Sequence, residues 1–480
     1  MFDLAIIGVG ATGVSLLKQL QDEVYAAGLA SPKIALFCPK EDFACGKAFG
    51  DAAAIHKVNT PPNMLCISRH EPDGFSRWMS EKGEELDLYP NRLMYAKFLH
   101  ETYQGILNLG ILKIEEFYIH VDSLHPYMGG YKINTGDGVV TAKKIVMCLG
   151  ALHGSTFPTL AAQTGFVDHH RQFMDIPDGP VLVAGSGLTA VDAARSLAMN
   201  RNREIHLFSR HGYAPTCLTA KNTYTPKALN WKNLLDNKGN RVRLSRFIHL
   251  LNQERQYLLG KDEVEPALHR LRSEGASAYF EFLMQKSAAA DLPYQDILVS
   301  TRPYMHKLWQ MLPVEDRVLF SNHYGSEWAV WRHPIPYEVM SELAQAAKEK
   351  RLHIHKASRP PLFNNGSFSI ETADRKSITS PFMVDGTGGS NQLSTIDSAL
   401  LKNLLQQGLI ESHPCGGMNI HPMTFECRVN GTRVPNLYNI GPLNKGCLFS
   451  TNAFWFNAYC AGQWAKQYVI EMSHQHLSVV

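Results

Sequence analysis

Residues 3–13 read DLAIIGVGATG. The run DLAII, residues 3–7, is short and apolar, the composition of a strand buried on both faces of a parallel sheet. The turn GVGATG follows at once and places Gly8, Gly10 and Gly13 in GxGxxG spacing, with Ala11 and Thr12 between the last two. A helical pattern (Val14, Leu16, Leu17, Leu20) comes next, and then a second apolar strand, Ile34 to Phe37. In such a unit the first glycine allows a tight turn. The second lets backbone approach a pyrophosphate, and the third lets helix pack closely on strand. The helix N-terminus then presents unpaired N–H groups and a positive dipole end to the phosphates. The segment therefore predicts a dinucleotide-binding α/β domain.

One usual element is replaced. The end of the second strand should carry Asp or Glu for ribose hydroxyls, and here it carries Cys38, with Glu41 and Asp42 falling beyond the strand. Cys38 reads as a small packed residue rather than a reactive thiol.

Working outward, VLVAGSGLTA at 181–190 repeats the pattern, with Gly185, Gly187, Leu188 and Thr189 in the turn and Ala190 in the third position. A helix, VDAARSLAMN, and a strand, Ile205 to Phe208, follow, and the strand ends in Ser209-Arg210-His211. A guanidinium suits the 2′-phosphate of NADPH, which a carboxylate would repel, so Ser209 and Arg210 favour NADPH over NADH. Two further apolar runs close in glycine, KIVMCLG ending at Gly150 and FMVDGTG ending at Gly388. The expected fold is α/β, with two Rossmann-like dinucleotide-binding domains. Between them the region from about 215 to 345 shows helical spacing (Leu244, Phe247, Ile248, Leu251, Leu258) and reads as a helical insertion.

The 480 residues carry 47 Lys plus Arg against 44 Asp plus Glu, a net +3 that lacks the basic excess of a nucleic-acid-binding surface. With 45% hydrophobic residues the chain is no disordered polymer. No apolar window is long enough to span a bilayer, and Met1 to Ile7 lack the basic start of a signal peptide. Nine cysteines show neither metal spacing nor a CxxC pair, so no metal, reduced thiols and a cytoplasmic location are expected.

Several stretches together resemble the FAD–NAD(P)-binding family related to class B flavin monooxygenases and amino-acid N-hydroxylases. They are GVGATG, CGKAFG with HKVNTPPNMLC (45–50 and 56–66), YPNRLMYAKFL (89–99) and GSGLTAVD (185–192). RPYMHKLWQMLP (302–313), WAVWRHPIPYEV (328–339) and PNLYNIGPLNKGCLFSTNAF (435–454) complete the set. The resemblance implies FAD in a domain of residues 1–165 and 366–480, and NADPH in a domain of residues 166–365. It implies that Asn59, Thr60 and Met64 lie beside the flavin, and that Gly441 closes around FAD from the C-terminal side. Thr451 and Asn452 would then open a helix aimed at the flavin pyrimidine. The usual acid of this tail is replaced by Ser450 or Asn452. The family linker motif FxGxxxHxxxW survives only as Gly165, His169 and Phe173, where His169 reads either as a hinge or as a surface histidine.

His56, Asn63 and Arg92 are the candidate pocket residues. His56 would orient the flavin or move a proton, unless it is an ordinary loop histidine. Arg92 would pair with a substrate carboxylate, unless it only forms a salt bridge at a helix start. Trp328, Trp331, Arg332 and His333 form either a lid or an aromatic core patch. The resemblance implies an FAD-dependent, NADPH-using monooxygenase that N-hydroxylates a small amine or amino acid, with oxygen and a small molecule as partners. Two other readings stay open: an NAD(P)H-dependent flavin oxidoreductase without oxygen insertion, and a nucleotide-binding protein with degraded catalysis. A dithiol reductase is disfavoured, because Cys38 and Cys45 have the wrong spacing.

Overall fold

The computed structural model describes residues 1–84, 87–154, 156–199, 202–219, 224–235 and 242–477. The chain forms two compact units, Met1–Gly154 with Gly389–Val480, and Ser155–Gly388.

The first unit contains β1 (Phe2–Ile7), β2 (Lys33–Phe37), β3 (Lys113–Phe117), β4 (Val121–Tyr127), β5 (Gly130–Thr135) and β6 (Gly138–Met147). The second contains β7 (Phe166–Val167), β8 (Gly179–Ala184), β9 (Arg203–Ser209), β10 (Leu352–Lys356), β11 (Leu362–Asn364), β12 (Ser367–Glu371), β13 (Ser377–Ser380) and β14 (Met383–Asp385). The chain then returns to the first unit with β15 (Glu426–Val429) and β16 (Thr432–Asn439).

In the first unit the sheet runs β15-β16-β6-β1-β2-β3, with the hairpin β4-β5 attached through β5 to β6. Pairings from β16 across to β3 are parallel, and those of β15 and of the hairpin are antiparallel. Parallel strands are covered on both faces, which is why the central ones are apolar without alternation. Leu4, Ala5 and Ile6 in β1, and Ile145, Val146 and Met147 in β6, are all fully buried. Helix Ala11–Ala27 covers one face, where helix Phe454–Leu477 joins it: the Gln19 side-chain amide donates to the Ala458 carbonyl at 2.8 Å.

In the second unit a five-stranded parallel sheet runs β10-β9-β8-β14-β7, and a three-stranded antiparallel sheet runs β11-β12-β13. Phe368 and Ile370 of the small sheet pack with Leu182, Phe208 and Met383 of the large one. Between β9 and β10 the described regular elements are all helical. Leu244, Phe247, Leu251 and Leu258 are buried there, and Ile248 is half-buried. No described helix is long and apolar enough to cross a membrane.

Both large sheets turn sharply after their first nucleotide-type strand. Gly8 has φ +94°, and a Cβ there would stand 2.8 Å from the Cys148 carbonyl carbon. Gly185 has φ +108°, and a Cβ there would stand 2.6 Å from the Gly386 carbonyl oxygen. By contrast Gly110, the left-handed cap of helix Arg92–Leu109, has open space where its Cβ would be.

We expect Gly8→Ala to lower the unfolding free energy by about 2–4 kcal/mol, because strain and overlap add. Gly110→Ala should cost only about 1 kcal/mol, the left-handed penalty alone. Urea denaturation of the two variants measures the difference, and equal losses would remove backbone crowding as the reason for glycine at position 8.

Candidate functional site

The C-terminal ends of the parallel strands form the edge where α/β sheets take ligands. In the first unit this edge is stitched by backbone. Gly8 N–H donates to Phe37 O at 2.8 Å, Cys148 N–H to Ile7 O at 2.7 Å, Cys38 N–H to Phe117 O at 3.1 Å and Ile440 N–H to Met147 O at 2.9 Å. Gly8, Cys38, Gly150 and Gly441 therefore lie along one edge.

Helix Ala11–Ala27 begins there with Gly10 as its N-cap. It has no side-chain cap and no acidic residue in its first turn. Its first N–H groups are thus left for an anion, and the dipole favours one. The third glycine packs as expected, since a Cβ on Gly13 would stand 3.3 Å from the Gly8 carbonyl carbon. Thr12 is buried and Ala11 half-buried. A Cβ on Gly10 would stand 3.1 Å from the Cα of Gly46, so the CGKAFG loop crosses the turn at backbone contact.

The other quoted segments of this unit converge beside the turn. Phe49 of the crossing loop packs 4.7 Å from the ring of Tyr95, which lies 5.7 Å from Phe454 at the start of the C-terminal helix. The Tyr95 hydroxyl donates to Leu65 O at 2.9 Å, and the Ser15 hydroxyl to Ile67 O at 2.6 Å, anchoring the chain that leaves NTPPNM. Asn59, Thr60 and Met64 are half-buried, and Asn63 is exposed in the turn Pro62–Met64.

His56 is buried, 5% exposed, and its Nδ1 accepts from Ala53 N–H at 3.2 Å, which leaves the proton of the neutral ring on Nε2. Arg92 N–H donates to His56 O at 2.9 Å, and Arg92 Nε–H to Lys57 O at 3.3 Å. The Asn91 side chain accepts from Leu93 N–H at 2.7 Å and so caps helix Arg92–Leu109 immediately ahead of Arg92. Backbone thus brings His56 and Arg92 together, whereas no hydrogen bond among the described residues joins Asn63 to either.

The loop after β16 is tied back on itself. The hydroxyl of Thr451, a buried residue, donates to Pro442 O at 3.0 Å, and the Asn457 amide donates to Thr451 O at 2.9 Å. Asn452 is exposed, and Gly441 holds φ +138° at the start of the loop. Two residues of this edge were not singled out from the sequence. Gly46 had only its place in CGKAFG as a signal. Lys445, whose ammonium is pushed down by burial, opens the short helix Lys445–Leu448 in the segment after β16.

Cys38 is 5% exposed, and burial pushes its thiol up to about 12. It is a packed residue. Glu41 and Asp42 lie in the short turn Lys40–Asp42, beyond β2.

In the second unit helix Leu188–Ala198 starts from Gly187, again with no side-chain cap and no acid in its first turn. Gly187 and Thr189 are exposed and Leu188 is half-buried. Gly388, with φ +82°, would bring a Cβ within 3.1 Å of Thr189 Oγ1. The Ser209 hydroxyl oxygen accepts from Gly212 N–H at 3.0 Å and from Ser186 Oγ at 3.3 Å, fixing the chain as it leaves β9. Arg210 projects from this turn as an exposed residue. His211 is pushed down by burial and by the charges of Arg210 and Lys356, so the end of the strand is positive.

Trp328 and Trp331 are buried, Trp328 lying 5.9 Å from Phe247 and 5.6 Å from Phe320; they form an aromatic core patch. Arg332 is held down to about 9 by burial and by the nearby charge of Arg302. His169 accepts from Arg171 N–H at 3.2 Å and caps the turn His170–Asp175.

Residues 5–152 match the family described as FAD-NAD(P)-binding. A comparison with curated proteins gives no match. Among solved structures, the ornithine hydroxylase of Pseudomonas aeruginosa is similar, with 12% identity, TM-score 0.61, and 98% of this chain and all of that chain covered. The ornithine N-hydroxylase of Kutzneria sp. 744, solved with reduced FAD, NADP+ and L-ornithine, has 12% identity, TM-score 0.59, and coverage of 98% and 100%. The bacillithiol disulfide reductase of Bacillus cereus has 12% identity, TM-score 0.54, and coverage of 98% and 99%. The fold is therefore the two-dinucleotide-binding flavoprotein fold, and residues 5–152 carry its FAD-NAD(P)-binding signature.

At pH 8 a thiol with a pKa of about 12 holds roughly a thousandfold less thiolate than an ordinary cysteine. We expect iodoacetamide to leave Cys38 unlabelled in the folded protein and to label it after denaturation, as read by peptide mass spectrometry. Fast labelling in the folded state would return Cys38 to the list of reactive groups.

Proposed function

We propose that this chain, with its FAD-NAD(P)-binding signature and two-dinucleotide flavoprotein fold, is an FAD-dependent monooxygenase that uses NADPH and N-hydroxylates a small amine or amino acid. The first unit takes FAD and the second takes NADPH. The observation that carries the reading is the pair of uncapped, acid-free helix starts, each behind its own glycine turn in its own parallel sheet. Two such starts provide for two dinucleotides.

The cradle of the first unit fits FAD. Side chains are excluded at Gly8 and Gly10, and Thr12 stands in the first helical turn. Asn59, Thr60 and Met64 would lie beside the ring system, with Gly441, Thr451 and Asn452 on its other side. Bound FAD and NADPH supply the redox chemistry. The protein's residues bind, orient and exclude water. His56, with its proton on Nε2, is suited to hold or pass a proton at that atom. Arg92, placed at a capped helix start, is suited to a substrate carboxylate. In the second unit Ser209 is occupied in holding the turn, so Arg210 carries discrimination for the 2′-phosphate.

The likeness to a disulfide reductase supports a different use of the same fold, electron transfer without oxygen insertion. The thiols at the first edge speak against dithiol chemistry: burial raises Cys38 to about 12 and also raises Cys45, whereas a redox-active cysteine needs a stabilised thiolate.

Two measurements test the reading. Purified protein reconstituted with FAD and supplied with NADPH, oxygen and a panel of small amines and amino acids should form a hydroxylamine in step with NADPH consumption. Consumption with no hydroxylamine from any amine would overturn oxygen insertion and leave the oxidoreductase reading. Separately, Arg210→Ala should raise the KM for NADPH by about 10–100-fold, the loss of a charge-assisted contact, and change that for NADH by no more than about twofold. Equal effects on both coenzymes would remove the 2′-phosphate assignment.

A further inference from the structure

Strands β9 and β10 carry a second cluster that the nucleotide turn does not use. The parallel register places His353 opposite His206 and His355 opposite Phe208. Side chains two residues apart share a face, so Glu204 and His206 of β9 stand beside His353 and His355 of β10. The rings are near-parallel neighbours, with His206 5.0 Å from His353 and 5.3 Å from His355 between centroids. His206 lies three residues before Ser209, about 10 Å along the strand from the turn.

The Glu204 carboxylate reaches both inner rings with one oxygen. Its Oε1 is 3.2 Å from His353 Nε2 and 3.5 Å from His206 Nε2. Each of the three residues offers one ligand atom, and these atoms lie within 4.8 Å of one another. Ligands held 2.0–2.1 Å from a tetrahedral ion are about 3.3–3.4 Å apart, which the two measured distances bracket. An octahedral arrangement would need a separation closer to 3 Å.

His206 Nδ1 lies 3.1 Å from His355 Nε2, so with its own Nε2 on a metal His206 donates Nδ1–H to His355. Such an outer hydrogen bond fixes the tautomer of a ligating imidazole. His353 Nε2 faces the Lys350 carbonyl at 3.0 Å, which accepts a hydrogen bond from Nε2–H in the metal-free chain. A metal on Nε2 would require the Nδ1–H tautomer, the proton moving to Nδ1 through solvent.

We propose that Glu204, His206 and His353 bind one zinc ion, with His355 as the outer partner of His206 and water in the fourth position beside the half-exposed Glu204 carboxylate. Two imidazoles and a carboxylate in tetrahedral spacing suit zinc. The ion would clamp the edge strand β10 to β9, the strand that ends at Ser209, and this site does not depend on the redox reading.

The test uses full-length protein stripped with chelator and titrated with zinc chloride by calorimetry, alongside the variants His206→Ala, His353→Ala, Glu204→Gln and His355→Ala. Wild type should take up one zinc per chain, and zinc should raise its unfolding midpoint. His206→Ala and His353→Ala should lose that site, and His355→Ala should weaken it by about tenfold or more, as removal of an outer partner does. Glu204→Gln changes a side chain that is 51% exposed, so it serves even if a buried histidine variant fails to fold. Absence of stoichiometric uptake by wild type would overturn the proposal. So would uptake by Glu204→Gln with undiminished affinity, or anaerobic preference for ferrous iron over zinc.

Discussion

Backbone must pass backbone without a side chain between them wherever a nucleotide strand turns into its helix, and the rest of the arrangement depends on that contact. In the first unit the turn at Gly8 lies against the Cys148 carbonyl, and Gly13 closes on Gly8 from the helix side. Strand, neighbouring strand and helix are thereby drawn to van der Waals contact, and the open N–H groups of the helix are held at the sheet edge rather than above it. In the second unit Gly185 meets the Gly386 carbonyl in the same way, and Gly386 has Ala190 of the following helix 2.9 Å from where its Cβ would be. The two units reach the same solution with the third glycine replaced by alanine in the second, where Gly386, just after the neighbouring strand β14, leaves room for Ala190.

This explains which parts were legible in the sequence. The apolar runs of β1 and β6 are continuous because parallel strands have two covered faces, and a continuous run next to a glycine turn has few other readings. Leu244, Phe247, Leu251 and Leu258 recur at helical spacing because one helix face is core. The hairpin β4-β5 and the small sheet β11-β12-β13 were not anticipated. Strands β11 and β13 are short, and these and β4 are largely exposed, so turn geometry sets their pairing more than burial does.

The site was legible only where backbone builds it. Gly8, Gly10, Gly185 and Gly388 announce themselves because no other residue type fits. The approach of Gly46 to Gly10 left no such signature, since its reason is a contact made across 36 positions of chain. His56 and Arg92 were chosen as side chains, yet what joins them is the hydrogen bond from Arg92 N–H to His56 O, which any residue pair would form. The His206, His353 and His355 face was passed over for a related reason. Single histidines separated by some 150 residues acquire meaning only through the β9–β10 register.

The two nucleotide edges differ most in charge. The end of β2 offers a buried thiol that burial keeps protonated, so the first edge has lost the negative charge that would grip ribose hydroxyls. Helix N–H groups, worth about 0.3–1 kcal/mol toward a nearby anion through the helix dipole, and the backbone of the crossing CGKAFG loop are there, with the buried Lys445 in the segment after β16. Grip on a large cofactor must then come from area rather than from one strong contact, which fits the number of separate segments gathered around Tyr95. The end of β9 carries the opposite bias. Ser209 uses its hydroxyl oxygen to hold the following turn, and Arg210 stands exposed outside it, beside a His211 whose pKa is lowered by burial and by the charges of Arg210 and Lys356. The rim of the second edge thus carries an exposed cation beside a fixed turn, whereas the loop after β16 at the first edge is tied back on itself by Thr451 and Pro442. The asymmetry between the two edges therefore lies in which polar groups each spends on itself.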